Sequence, residues 1–295
     1  MSLPLTRESF VNARGERFSL LHGSPPEPAP LLHWTHATGF NGATYREMLT
    51  ELACGLDVRA LDMRGHGLSD AAADPDGLRS WDVYRDDLIE LVDSVSGPVC
   101  LAGHSMGGTT SVAVAARRPD RISALVLVEP VLLDTEAGAA FAAAKRSGTS
   151  NTVGLARSAR KRRPVFPSRE AAVENYAGRG AFASWRRSWI QAYVEGGTRE
   201  TADGAVELAC APAWESATFA ATEHDPWTDV ARIRCPVTLV VGTRDSTCGR
   251  PSVQHFLELQ PSTRLVEVEG ASHFLPMEQP ELVIREILAR AAPAP

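Results

Sequence analysis

The chain has 295 residues, 44% of them hydrophobic and 22% charged, with a formal net charge of −6. That is ample material for a large core, and the acidic balance argues against general nucleic-acid binding. No apolar run approaches the ~18 residues a membrane span needs, and Met1-Ser2-Leu3-Pro4-Leu5-Thr6-Arg7-Glu8 lacks the basic patch and apolar stretch of a secretory signal. The five cysteines (Cys54, Cys100, Cys210, Cys235 and Cys248) contain no Cys-x-x-Cys pair. Reduced thiols in a cytoplasmic protein are expected.

Residues 7–12 and 16–22 read as two strands joined at Arg14-Gly15-Glu16. The proline-rich stretch 23–30 is a loop, because proline cannot donate to a ladder. Leu31 to Trp34 reads as a buried strand, followed by the polar loop His36-Ala37-Thr38-Gly39-Phe40-Asn41-Gly42. Ala43 to Ala53 has Tyr45, Met48, Leu49 and Leu52 at helical spacing. Val58 to Met63 is a strand that runs into Arg64-Gly65-His66-Gly67-Leu68-Ser69-Asp70. Trp81 to Val95 is an amphipathic helix with Val83, Leu88, Leu91, Val92 and Val95 inward. Pro98 to Ala102 is a buried strand, Thr109 to Arg117 a helix, and Ala124 to Val128 a further strand ending at Glu129-Pro130.

This alternation predicts an α/β fold: a mostly parallel sheet with helices on both faces. The rhythm breaks over 134–226, which is rich in Ala and Arg and reads as helical with no clear strand; Trp185, Trp189, Tyr193, Trp214 and Phe219 are scattered through it. It resumes with a strand at 236–241, a helix at 251–259, a strand at 264–269 and a helix at 279–291. Residues 1–133 and 227–295 are therefore expected to share one eight-stranded sheet domain. Residues 134–226 are expected to form a helical cap, inserted after the sixth strand and lying over the carboxyl edge of the sheet. Within 141–190 stand eleven basic side chains, from Lys145 and Arg146 to Arg186 and Arg187, and two acidic ones, Glu170 and Glu174. A solvated helical surface accounts for such a run; a positive lid that attracts anionic substrates is the functional alternative.

The stretch that organises the chain is Gly103-His104-Ser105-Met106-Gly107-Gly108. A Gly-x-Ser-x-Gly between a strand and a helix is a nucleophile elbow, a turn so tight that only small residues fit around the serine. His66 and His104 read as loop-bracing residues, since no His/Asp/Glu cluster has ligand spacing. Neither a metal nor a cofactor is expected. There is no Gly-Lys-Ser/Thr after a glycine loop for nucleotide hydrolysis, and no Gly-x-Gly-x-x-Gly for a dinucleotide. Cys248 reads as a small buried hydrophobe, and Trp185, Trp189 and Trp214 as core residues, any of which facing down could line an acyl pocket.

With these motifs in order, the chain resembles the α/β-hydrolase superfamily, in its capped serine esterase or lipase-like branch. The resemblance rests on five stretches: His36-Ala37-Thr38-Gly39-Phe40, where members more often show His-Gly-x-Pro-Gly; Asp62 to Ser69; the elbow at Ser105; Gly242-Thr243-Arg244-Asp245; and Gly270-Ala271-Ser272-His273-Phe274. Outside the insertion it covers essentially the full chain, and nothing in the insertion is carried over.

The resemblance implies a Ser, then Asp/Glu, then His order for the catalytic residues. Ser105 is then the nucleophile and His273 its general base. Asp245, within four residues of the strand 236–241, is expected to hold the imidazole tautomer. Glu129 at the end of strand 124–128 is the main competing acid, and Asp225 and Asp229 are weaker ones. The oxyanion donors are expected to be the backbone N–H groups of Met106 and Thr38, with Ala37 the neighbouring alternative. The implied activity is hydrolysis of a carboxylic ester or lactone, a small molecule, neutral or anionic, through an acyl-enzyme. Alternatives are carbon–carbon hydrolysis of a diketo acid, a cofactor-free perhydrolase, and a ligand-binding protein that keeps the fold. A serine at the elbow sets the chain apart from the dehalogenase and epoxide-hydrolase branches, which resemble this fold with Asp there.

Overall fold

The computed structural model describes residues 4–147, 154–221 and 223–291. The reading of Met1 to Leu3 and the outer bounds of both expected domains lie partly outside the described residues. The elements in chain order are β1 (Thr6–Val11), β2 (Arg17–Gly23), β3 (Leu31–Thr35), α1 (Arg46–Leu52), β4 (Asp57–Leu61), α2 (Asp82–Ser94), β5 (Val99–His104), α3 (Met106–Arg117) and β6 (Ile122–Val128). Next come α4 (Thr135–Arg146), α5 (Gly154–Arg160), β7 (Val165–Phe166), α6 (Arg169–Tyr176), α7 (Arg187–Gly197), β8 (Thr198–Glu200), β9 (Val206–Leu208), α8 (Pro212–Ala220) and α9 (Pro226–Val230). The chain then continues through β10 (Val237–Gly242), α10 (Arg250–Leu259), β11 (Arg264–Val268), α11 (Leu275–Glu278) and α12 (Pro280–Ala291).

Eight strands form one sheet in the order β1-β2-β4-β3-β5-β6-β10-β11. The first two pairings are antiparallel and the remaining five parallel. The interior strands β5 and β6 read as nearly unbroken apolar runs because both faces of a parallel sheet are covered. Alternation along β6 shows this: Ala124, Val126 and Val128 enter the core beneath α1 and α12, while Leu125 and Leu127 enter the core beneath α2, α3 and α10. The edge strand β1 is largely exposed and charged at Arg7 and Glu8, which discourages edge-to-edge pairing. In α2 the buried set is Tyr84, Asp87, Leu88, Leu91 and Val92, with Val83 and Val95 only partly covered.

One expectation is corrected. Residues 134–226 are not purely helical, since β7, β9 and β8 form a three-stranded antiparallel sheet. Strands of two or three residues show no alternation to read. The insert docks on the loops at the carboxyl ends of β3 and β4. Trp214 Nε1 donates to the Arg64 carbonyl at 3.0 Å, and Asn41 Nδ2 to the Tyr193 carbonyl at 3.0 Å. From the far side of the β4 loop, Trp81 Nε1 donates to the Thr218 carbonyl at 2.9 Å.

Candidate active site

Among the described residues, three that are not glycine have positive φ: Ser105 (57°), Glu129 (49°) and Asp245 (51°). They follow the carboxyl ends of the adjacent strands β5, β6 and β10, so the strained positions sit along one edge of the sheet. Strain of this kind costs roughly 1–3 kcal/mol per residue and collects at functional sites. At Ser105 it turns the chain from β5 into α3 within one residue and lifts the hydroxyl off the sheet. A Cβ at Gly107 would be driven into the Thr35 carbonyl oxygen, and one at Gly103 would lie 2.6 Å from the Gly107 backbone. Only hydrogen fits at either position.

His273 lies on the loop between β11 and α11, and its Nε2 is 3.1 Å from Ser105 Oγ. Ser105 is buried, with 6% of its surface exposed. The structure does not bring the expected acid, Asp245, to the imidazole. Asp245 is exposed, and the imidazole Nδ1 instead faces Glu129 Oε2 at 3.3 Å and Thr247 Oγ1 at 3.1 Å. Glu129 is fully buried. Its carboxylate accepts from Gly242 N at 2.5 Å, from Ser246 Oγ at 3.0 and 2.8 Å, and from Thr247 N at 3.2 Å. The loop after β10 therefore contributes Ser246 and Thr247 where Asp245 was expected. Sequence reasoning missed both hydroxyls, whose only signal was a position next to a motif acid. Asp225 caps α9 through Thr228 N at 3.1 Å, and Asp229 pairs with Arg117, so neither is directed at the imidazole.

The loop 36–39 lies against the elbow, where Thr38 Oγ1 donates to Met106 Sδ at 3.3 Å. Ala37 N–H is taken up by Tyr45 Oη at 3.3 Å, which favours Thr38 over Ala37 as a free donor. Tyr45 Oη stands 2.8 Å from His104 Nδ1, and His104 Nε2 stands 2.7 Å from the His273 carbonyl. With the His104 proton on Nε2, one chain of hydrogen bonds links the 36–39 loop, the elbow and the His273 loop. His36 Nε2 accepts from Met63 N at 2.9 Å and so ties the same loop to the end of β4.

The histidines behind this edge are neutral. Burial pushes His33 and His66 down to about 3 and His36 to about 4. In the unfolded chain each titrates near 6.5. Below that value the unfolded state binds protons that the folded state refuses, so the stability these residues contribute is present above about 6.5 and is lost as pH falls towards 4. Each costs about 1.4 kcal/mol per pH unit in that window. His66 Nδ1 donates to the Arg64 carbonyl at 2.9 Å, a bond that asparagine can imitate. Urea midpoints at pH 6 and pH 5 should show a shallower loss in His66→Asn, by about 1.4 kcal/mol per pH unit; equal slopes would refute the buried-proton account.

Two aromatic rings of residues 134–226, Trp185 and Tyr193, pack against the loops beside Ser105 and His273. Phe40 meets Trp185 edge-on at 5.2 Å and Tyr193 at 5.7 Å, and Phe274, next to His273, meets Trp185 at 5.9 Å. Behind them Arg162 donates to Glu215 at 2.5 Å and to Tyr193 Oη at 2.5 Å. The Glu215 carboxylate presses on Gly39, where a Cβ would meet it. Carboxylates also neutralise Arg169 (Glu200, 2.8 Å), Arg186 (Glu47, 3.2 Å) and Arg187 (Glu174, 2.5 Å). Among the described residues, four of the eleven basic side chains of residues 141–190 thus pair with carboxylates. His224 stacks on Trp81 at 4.5 Å. No helix among the described residues is long and apolar enough to cross a membrane.

A model of the alpha/beta hydrolase family matches residues 20–286. The chain is 26% identical over 264 residues to a 2-(acetamidomethylene)succinate hydrolase of Mesorhizobium japonicum, covering 88% of this chain and 86% of that one. It is 34% identical over 132 residues to a monoglyceride lipase of Homo sapiens, covering 42% and 43%. The crystal structure of an E-2-(acetamidomethylene)succinate hydrolase superimposes with a TM-score of 0.78 at 23% identity, covering 97% of this chain and 99% of the other; at that identity the likeness concerns the fold.

Proposed function

Because the chain belongs to the alpha/beta hydrolase family, we propose that it is a serine hydrolase that cleaves a carboxylic ester or lactone through an acyl-enzyme. The observation that carries this reading is the Ser105–His273–Glu129 line, with 3.1 Å from hydroxyl to imidazole and 3.3 Å from imidazole to carboxylate. Ser105 Oγ attacks the substrate carbonyl while His273 Nε2 takes its proton. The oxyanion is held by the Met106 and Thr38 N–H groups, the first at the N-terminus of α3. Collapse expels the alcohol, which receives the proton from His273. Water then attacks the acyl-enzyme with His273 again as base, and the acid and the free serine are released. Glu129 keeps the Nδ1 proton in place and stabilises the imidazolium.

Residues 134–226 act in this reading as a cap whose aromatic face excludes water from the acyl-enzyme and favours an apolar acyl group. A cytoplasmic location fits the thiols of Cys100, Cys210 and Cys248, all free and buried. The test is burst kinetics on p-nitrophenyl acetate, butyrate and octanoate. A burst stoichiometric with enzyme and absent in Ser105→Ala is expected. Turnover that survives Ser105→Ala, or no turnover of any ester or lactone, would overturn the reading, and diketo acids and ligand titration would then be tried.

A further inference from the structure

The Thr247 hydroxyl has three neighbours. The carbonyl oxygens of Glu129 and Pro130 lie at 3.1 and 3.3 Å, and His273 Nδ1 lies at 3.1 Å. A carbonyl oxygen can only accept, so either one can take the hydroxyl proton. The lone pairs left on Oγ1 then face Nδ1, which must carry the imidazole proton. Were the hydroxyl proton pointed at Nδ1 instead, the ring proton would sit on Nε2, and His273 could not take the proton of Ser105. Thr247 Oγ1 is also nearer to Nδ1 than Glu129 Oε2 is, at 3.1 against 3.3 Å. The carboxylate itself is already occupied by Gly242 N–H, the Ser246 hydroxyl and Thr247 N–H.

We propose that Thr247 is a positioning residue that shares the Nδ1 proton of His273 with Glu129 and holds the imidazole in the tautomer a general base requires. The inference rests on the reading of His273 as the base. It divides the acid's work: Glu129 supplies the charge, and the hydroxyl supplies part of the orientation. The working part of the device is the oxygen and not the methyl, so serine can replace threonine but valine, its near isostere, cannot.

The test compares Thr247→Val and Thr247→Ser with the native enzyme on p-nitrophenyl butyrate, with Ser105→Ala alongside. Loss of one hydrogen bond to a group that becomes charged corresponds to a fall in kcat of about 10- to 100-fold in Thr247→Val, with KM within about twofold. Thr247→Ser should return to within about threefold of the native rate. In Thr247→Val the acid limb of kcat/KM should also move to lower pH, because the imidazolium has lost an acceptor. The other titratable groups near the ring, Glu129 and His104, are the same in all variants. The labelling rate of Ser105 by a fluorophosphonate should fall in parallel, and this readout does not depend on the ester chosen. A Thr247→Val enzyme within twofold of native, or a Thr247→Ser enzyme as slow as Thr247→Val, would overturn the proposal. If Thr247→Val is unimpaired while Ser105→Ala is dead, only this inference fails. If Ser105→Ala keeps its rate, the hydrolase reading fails and this one with it.

Discussion

Glu129→Gln is expected to lower kcat on the order of 10⁴-fold, the loss seen when a triad acid becomes its amide, while Asp245→Asn stays within about twofold of native. The reason lies in what surrounds the carboxylate. Gly242 N–H, the Ser246 hydroxyl, Thr247 N–H and the imidazole all converge on its two oxygens. A carboxylate can accept from all of them, whereas an amide has one accepting atom and one donating group. Whichever way the glutamine turns, its NH₂ meets either the Gly242 N–H or the imidazole. In the second case it drives the ring proton to Nε2 and disables the base. Asp245 is exposed and makes no such contact among the described residues. Steady-state rates for the two variants decide the matter. A dead Asp245→Asn beside an active Glu129→Gln would reverse the assignment.

Arg64→Met is expected to destabilise the fold by about 3 kcal/mol, the low end of the cost of breaking a buried ion pair, because Asp87 keeps only the half-exposed Arg14 guanidinium at 3.0 Å. The Arg64 side chain is 7% exposed and Asp87 is fully buried. The guanidinium donates to both Asp87 oxygens at 2.9 and 2.7 Å, to Glu16 at 2.5 and 2.7 Å, and to the Ala72 carbonyl at 2.7 Å. Burial pushes the Asp87 carboxyl up even with this arginine beside it, so desolvation outweighs pairing at that site. Pairs of this kind are costly to break and often cheap to replace whole. Arg64→Met/Asp87→Leu should accordingly recover much of the loss, with Glu16 still served by Arg14 at 2.9 Å. Urea unfolding measures both variants. A loss below about 1 kcal/mol in Arg64→Met would show that the network contributes little. Activity should fall as well, because the 62–69 loop carries the Met63 N–H that holds His36 and the Arg64 carbonyl that holds Trp214.

Periodicity and punctuation made all eight strands of the main sheet legible, along with the elbow at Ser105 and its histidine neighbour His273. These features are local. Buried parallel strands are apolar runs, the elbow needs glycine on either side of the serine, and the histidine follows a strand. The short strands β7, β8 and β9 escaped because two or three residues carry no period. The choice between Glu129 and Asp245 escaped for a different reason. Both follow a strand, both have positive φ, and β6 and β10 are neighbours in the sheet, so linear order places either acid at the same edge. Which one reaches the imidazole depends on the direction of a side chain, and that is set by the packing of three separate loops. Thr247, the Tyr45–His104 link and the Arg162–Glu215 pair are also meetings of residues far apart in the chain. The family of fold and the proposed nucleophile and base are legible in the sequence, because each is written in residues adjacent along the chain. The placing of Glu129 rather than Asp245 beside the imidazole, the Ser246 and Thr247 hydroxyls and the aromatic contacts come from the tertiary structure alone, because hydrogen bonds and ring contacts depend on distances in space that no local pattern encodes.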